Sequence, residues 1–496
     1  MSVPSPLVIT REEILAVYAQ GPAAVVALVE TLVARINALT EHGAQLEARV
    51  AALEVARAKD SHNSGKPPST DVTRMGRAPK SLRGQSGKRP GGQPGHPGTT
   101  LALRPTPDAV ATHAPAACAQ CGHGFMPADP PAIPVAGERR QVFELPPIVL
   151  VCTEHRLAER ACAQCGAWTR GTFPPEARST VSYGPGLLAL GLYLTTQHLL
   201  PVARAAEVLT TLVGQRVSPA TLLAAEGRCA ATLAPVTARI RAGLAASPTV
   251  HLDETGFYVA RVRWWLHVAC TRALTLYTAH PKRGVAAHAA VGLLPTYTGT
   301  AVHDGYASYF THRACRHALC GVHLLRELTF LAEECGARWA AALQRSLRTM
   351  KRAADRARAA GATALGRATL TRYQRRYDAL VRDGEAAEPP AVQTATRGRP
   401  RRTPAGQLLV RLRRDRGAVL RFLCDLRVPF DNSEAERDVR MMKVEQKVSG
   451  GFRTPAGAAT FCTNRGYLST ARKQGQHALT VLRDALVGHP FMPTGP

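Results

Sequence analysis

The 496-residue sequence contains no uninterrupted apolar run of the roughly 18–20 residues that a membrane helix needs. Its longest candidate, LLALGLYLTTQHLLPVA (residues 187–203), is broken by Thr195, Thr196, Gln197, His198 and Pro201. The opening MSVPSPLVITREE has neither the charged nor the apolar region of an export signal, so a cytoplasmic protein without a membrane span is expected. Acidic residues are scarce: 36 Asp and Glu stand against 63 Lys and Arg, and the net charge of +27 points to a polyanionic partner such as nucleic acid. A nucleotide-binding phosphate loop is absent as well. In SGKPPST (residues 64–70) Pro67 follows Lys66 where Ser or Thr is required, and the upstream glycine is missing.

Cysteine is not scarce. Twelve are present, and four of them form two copies of CAQCG, at Cys118/Cys121 and Cys162/Cys165. Each pair presents two thiolates from one tight turn, and Gly122 and Gly166 let the backbone double back, so together they suit a tetrahedral Zn²⁺ site. A redox pair is the competing reading, but thioredoxin-type motifs do not come as matched couples. The span RRQVFELPPIVLVCTEHRLAERAC (residues 139–162) alternates like two or three strands bridging the knuckles, with Cys152 and His155 as packing residues.

Upstream, residues 25–58 carry Val29, Ile36 and Val50 on one line and Leu32, Leu39, Leu46 and Leu53 on the next, a heptad pattern interrupted by Gly43. This predicts a coiled coil joining copies of the chain; one helix with a stripe buried inside its own chain gives a similar pattern. Residues 61–98 replace apolar periodicity with Gly, Pro, Ser and basic residues, a linker able to lie along phosphates. Residues 183–245 read as helices. Ser218 and Pro219 form a helix start after the turn GQRVSP, a spacing compatible with a helix-turn-helix.

From Thr249 to His280 β-branched and aromatic residues alternate, with turn signals at ETG and CTRA, which predicts three antiparallel strands. A helix, GVAAHAAVGLL, then leads to a fourth strand, GTAVHDG. Asp253 on the first strand and Asp304 at the end of the fourth would meet at one edge of a mixed sheet. Two like charges so placed call for a cation, and hard oxygen ligands favour Mg²⁺ or Mn²⁺. A third acid is sought in VPFDNSEAERDVRMMKVEQKVSGGFRT (residues 428–454), where Asn432 or Ser433 caps a helix bearing Glu434 and Glu436 on different faces.

Taken together, NSGKPPST, GGQPGHPG, the paired CxxC, YGPGLLALGLYLTTQHLLPVARAAEVL, HLDET, DGYASY and DNSEAERDVR occur in an order that resembles the Insertion Sequence 66 transposases over nearly the whole chain. The resemblance implies a DDE-type, retroviral-integrase-like (RNase H-like) core that cleaves the ends of a mobile element and joins them to target DNA by two-metal-ion phosphoryl transfer. It puts the catalytic and metal-binding triad on Asp253, Asp304 and Glu436, with Glu434 in reserve, and implies small accessory transposition proteins. The family's Cys-Trp-Ala-His-like stretch is here CGVHLLREL, which keeps Cys320 and His323 and lacks the tryptophan.

The expected architecture is a multidomain α/β chain: N-terminal helices and coiled coil (1–60), basic linker (61–110), zinc ribbon (111–175), helical and possibly helix-turn-helix region (176–246), mixed-sheet core with flanking helices (247–336 and 426–465), an interrupting helical insertion (337–425), and a C-terminal helix and tail (466–496). Contacts to double-stranded DNA are assigned to Arg397 and Arg399 in TRGRPRR, to Arg437, Lys447 and Arg453, and to His323 and Arg326. Two other functions compete. His323 and Arg326 also fit the HxxR of tyrosine recombinases, and a zinc-ribbon regulator without catalysis would use the same basic charge.

Overall fold

The computed structural model describes residues 10–58, 101–133, 139–389 and 402–495. The linker motifs and Arg397 and Arg399 lie outside the described residues. The chain divides into two compact units, a smaller one from 77–154 with 210–215 and a larger one from the remainder.

In the larger unit, α1 (Arg11–Ala19) starts at a capping box in which Thr10 accepts from the Glu13 amide and Glu13 reaches back. The long α2 (Pro22–Ala58) follows. Its heptad residues Val29, Ile36, Leu39, Leu46 and Val50 are exposed, so they are not a stripe buried within the chain. The Pro22–Glu47 portion, with a mean hydropathy of 1.6, is long and apolar enough to cross a membrane by length and composition. Glu30, Arg35, Glu41 and Glu47 interrupt it, so it is not an uninterrupted apolar run of the length a membrane helix needs.

Strand β1 (Glu159–Ala161) pairs antiparallel with β2 (Trp168–Arg170) around the second CxxC. The other expected strands are absent: 139–158 is irregular, and Cys152 and His155 are exposed, not packed. The alternating side chains there, Val142, Val149 and Val151 among them, are exposed on both sides, so no buried face rewards strand formation.

Four helices, α3 (Pro185–Leu192), α4 (Val202–Val213), α5 (Pro219–Thr232) and α6 (Ala234–Ala246), precede the sheet. Ser218 caps α5 by accepting from the Thr221 amide, with Pro219 in the first turn, as the sequence predicts. The sheet comprises β3 (Thr249–Val259), β4 (Val262–Cys270), β5 (Thr275–His280), β6 (Thr300–His303) and β7 (Arg316–Leu319), with α7 (Val285–Val291) between β5 and β6. Its order is β5-β4-β3-β6-β7; β3, β4 and β5 run antiparallel, while β6 and β7 are parallel to β3. The ETG sequence is not a turn. Strand β3 continues through it, and the chain reverses at Ala260 and Arg261, both at positive φ.

Side-chain alternation along β3 builds the layers. Val250 and Leu252 pack with Leu233, Val236, Ile240 and Leu244, while Phe257 and Val259 pack with Ala435, Val439 and Met442 on the other face. Between the two halves of the site run α8 (Gly321–Glu334), α9 (Arg338–Ala359), α10 (Arg367–Ala387), α11 (Pro404–Arg414) and the short α12 (Arg416–Val419) and α13 (Arg421–Cys424). They share a core of their own that includes Leu343, Leu347, Met350, Tyr377, Leu380 and Leu409. On α9 the buried Trp339, Leu343, Leu347, Met350 and Ala354 recur every three or four residues, which leaves the arginines on the outer side. Helix α14 (Ser433–Val448) then covers β3 and β4, followed by α15 (Pro455–Lys473) and α16 (Ala478–Leu486).

The start of α8 is locked to the segment entering α14. The Gly321 amide donates to the Phe430 carbonyl at 2.7 Å, and a Cβ at Gly321 would lie 2.2 Å from the Phe430 ring. Gly321→Ala should therefore cost about 1–3 kcal/mol through overpacking. Denaturant unfolding of variant and parent measures it, and an unchanged midpoint would contradict this packing.

Candidate active site

The parallel pairing of β3 with β6 sets Thr249, Val250 and His251 beside Thr300, Ala301 and Val302. The same register, carried two residues further, brings Asp253 beside Asp304 on one face of the sheet. Asp304 sits just beyond the end of β6, at a bend where Gly305 takes a φ of 95°. Its Oδ1 accepts from the Tyr306 amide at 2.8 Å, and Asp253 Oδ1 accepts from the Glu254 amide at 2.8 Å.

The carboxyl of Asp253 is held well above its ordinary range. Burial is the main cause; the charges of Glu254, Asp304 and Glu436 add to it, and the Glu254 amide only partly opposes them. Acids from β3, from the end of β6 and from α14 are thus within electrostatic reach of one another.

Glu436, in the first turn of α14, points its Oε1 to His323 Nδ1 at 3.5 Å and to Cys320 Sγ at 3.7 Å, and its Oε2 lies 3.7 Å from Arg440. Glu434 is engaged elsewhere, with Arg437 at 2.6 Å. Of the two helix carboxylates, Glu436 is the one whose charge acts on Asp253.

The expected cap of α14 differs from prediction. Asn432 occupies the cap position but its amide is spent on β3: Nδ2 donates to the Leu252 carbonyl at 2.7 Å, and Oδ1 lies 3.0 Å from His251 Nδ1. The Ser433 amide is satisfied instead by Asp431 Oδ1 at 3.0 Å. Lys443 and Gln446 add a second tie, both donating to the Gly256 carbonyl at 2.9 and 3.2 Å.

Behind Asp253, on the opposite face of β3, lies a group that sequence reasoning missed. Glu254 is buried, accepts from Arg283 Nε at 2.7 Å and receives the Tyr309 hydroxyl hydrogen bond. The Arg283 guanidinium reaches within 4.0 Å of Asp304 Oδ2 and lies 3.9 Å over the Tyr306 ring. Burial opposes its charge, yet Glu254 and Asp304 more than offset that and raise its pKa. Nothing in HPKRGV marks Arg283; only the adjacency of Glu254 to Asp253 could have hinted at it.

Other predicted residues scatter. Lys447 and Arg453 are exposed, Arg326 is half-buried, and Arg437 is tied to Glu434. His323 is half-buried, and its Nδ1 faces Glu436 Oε1 at 3.5 Å without a hydrogen bond. Burial and Glu436 push the Cys320 thiol up to about 12. Among the described residues, Cys320, His323 and Glu436 are the one group of three with ligand atoms within 4.8 Å of each other.

The two CxxC pairs form matching knuckles, one in each unit. The Cys118 amide donates to the His123 carbonyl and the Gly122 amide to the Cys118 carbonyl, and Cys162, Ala167 and Gly166 repeat the arrangement. Gly122 and Gly166 both sit at φ 75°. Backbone N–H groups of Cys121 and Gln120 lower the Cys118 thiol, as those of Cys165 and Gln164 lower Cys162, which suits thiolate ligands.

A family model described as Transposase IS66 family matches residues 180–460, and one described as Family of unknown function (DUF6444) matches residues 20–102. No curated protein and no solved structure shows a match.

The raised Asp253 has a thermodynamic consequence. The fold binds its proton more tightly than the unfolded chain does, so in metal-free buffer this contribution to stability is lost as pH rises from the usual carboxylate range through the raised value. Asp253→Asn removes the charge and should melt a few degrees above the parent at neutral pH in EDTA. Thermal unfolding between pH 4 and pH 8 tests this, and an Asp253→Asn protein that melts lower throughout would contradict it.

Proposed function

The chain belongs to the IS66 transposase family, and from that membership we propose that it cleaves the ends of a mobile DNA element and joins them to target DNA at a DDE site of Asp253, Asp304 and Glu436. The observation that supports this reading is the β3–β6 register, which sets Asp253 beside Asp304, together with the tie of Asn432 to Leu252, which brings the start of α14 and Glu436 against the same strand. The strand order β5-β4-β3-β6-β7, with β3 central and antiparallel to β4, supports an RNase H-like core.

Burial first, and then the charges of Glu254, Asp304 and Glu436, raise Asp253; a divalent cation would offset that repulsion, and hard oxygen ligands favour Mg²⁺ or Mn²⁺. Such ions supply activation of the attacking oxygen and stabilisation of the leaving one. The chain's own residues hold the acids in place: β3 and β6 fix the two aspartates by register, Asn432 fixes α14, and Arg283 leans on Asp304.

Phosphate contacts fall to Lys447 and Arg453 beyond α14, to Arg326 and Arg437, and to Arg397 and Arg399. Each CxxC knuckle, Cys118 with Cys121 and Cys162 with Cys165, presents two thiolates as zinc ligands, and the exposed heptad residues of α2 support self-association as a coiled coil.

Strand cleavage of labelled element-end DNA in Mg²⁺ should fall at least about a hundredfold in Asp253→Asn, Asp304→Asn and Glu436→Gln, the scale of losing one charge-stabilising group. Undiminished nicking by any of the three removes that residue from the site. Activity that survives EDTA would favour a covalent tyrosine recombinase instead. Metal analysis of Cys118→Ser should show zinc lost from the ribbon, and unchanged content would sink the knuckle assignment.

A further inference from the structure

We propose that Cys320, His323 and Glu436 form a binding site for a thiophilic divalent ion, Zn²⁺ above all, and that this ion holds the third acid of the proposed triad away from Asp253 and Asp304. The site is separate in chemistry from both the CxxC knuckles and the all-carboxylate centre: one sulfur, one imidazole nitrogen and one carboxylate oxygen.

Geometry comes first. A tetrahedral ion with Zn–S of about 2.3 Å and Zn–N and Zn–O of about 2.0 Å requires its ligand atoms to stand roughly 3.3–3.7 Å apart. Glu436 Oε1 lies 3.5 Å from His323 Nδ1 and 3.7 Å from Cys320 Sγ. Cys320 is the residue before α8 and His323 lies in its first turn, so the helix start presents sulfur and nitrogen side by side. Gly321 between them admits the Phe430 ring, which brings the α14 entrance, and with it Glu436, against the pair.

The atoms are also poised for a ligand. His323 Nδ1 is buried and makes no hydrogen bond, a costly state for a polar atom unless something is to be bound there. The backbone N–H of Asn432 donates to Cys320 Sγ at 3.3 Å, so the sulfur already has a donor that can stay in place when a metal replaces its proton. On metal binding the S–H proton leaves to solvent as the S–metal bond forms, with no change of oxidation state. Three protein ligands leave a fourth position open. Sulfur and imidazole select Zn²⁺ over Mg²⁺, so one carboxylate serves two classes of ion.

The blocking consequence rests on the reading of Glu436 as third acid, whereas the binding itself does not. Full-length protein stripped of metal, reloaded with Zn²⁺ and dialysed should hold one zinc fewer per chain in Cys320→Ser and in His323→Ala than in the parent, with the ribbon zinc retained. Co²⁺ in place of Zn²⁺ should show correspondingly less thiolate absorption in Cys320→Ser. Equal zinc content in the parent and in either variant that keeps its circular dichroism and melting point overturns the site. Added Zn²⁺ should suppress Mg²⁺-dependent cleavage by the parent, and full cleavage with the extra zinc bound overturns the blocking role. A parent that never cleaves refutes the DDE reading, while the zinc count still decides this one.

Discussion

One buried side chain joins the two halves of the site. The amide of Asn432 hydrogen-bonds to the Leu252 carbonyl and to His251, the two residues before Asp253, and its position sets where α14 begins. The helix that carries Glu436 is therefore indexed directly to the strand that carries Asp253. Without such a tie, carboxylates in a metal-free protein would drift apart, because their mutual repulsion opposes the assembly. Hydrophobic contacts among Phe257, Val259, Ala435, Val439 and Met442 supply adhesion between helix and strand, but adhesion is non-directional. Hydrogen bonds from Asn432, Lys443 and Gln446 supply the register.

A second layer of charge lies behind the acids. Glu254, Arg283, Tyr309 and Asp304 form a chain across the sheet in which a buried carboxylate holds the arginine that leans on the aspartate. Burial of Glu254 raises its carboxyl, and Arg283 offsets part of that cost. Orientation of Asp304 is thereby coupled to a residue on the opposite face of β3.

Much of this was legible in the sequence, and the reasons for the remainder are physical. The strand positions of Asp253 and Asp304 followed from β-branched alternation, which reports a buried strand face reliably. Helical character between residues 337 and 425 followed from arginine-rich stretches that keep Leu and Ala on one side. The ETG turn failed because glycine within a strand marks a close approach here: Gly256 accepts Lys443 and Gln446 through its carbonyl while Arg263 crowds its Cα. The strands expected across residues 139–158 failed because alternation alone offers no partner edge. Asn432 was read as a cap by residue type, but a buried backbone carbonyl competed for the same amide, and such competition is invisible without tertiary contacts. Arg283 had no pattern at all, since its role comes from the fold bringing Glu254 and Asp304 to it.

The helices between β7 and α14 carry a hydrophobic core distinct from those of the sheet. On the ribosome, synthesis runs through Asp253 and Asp304 and then through that whole helical body before Glu436 emerges. The nascent chain consequently spends the interval with two aspartates already paired by β3 and β6 and no third acid to complete them. Under the proposed DDE reading, fragments released early by premature termination or proteolysis would lack the third acid and be inert on the genome that encodes them.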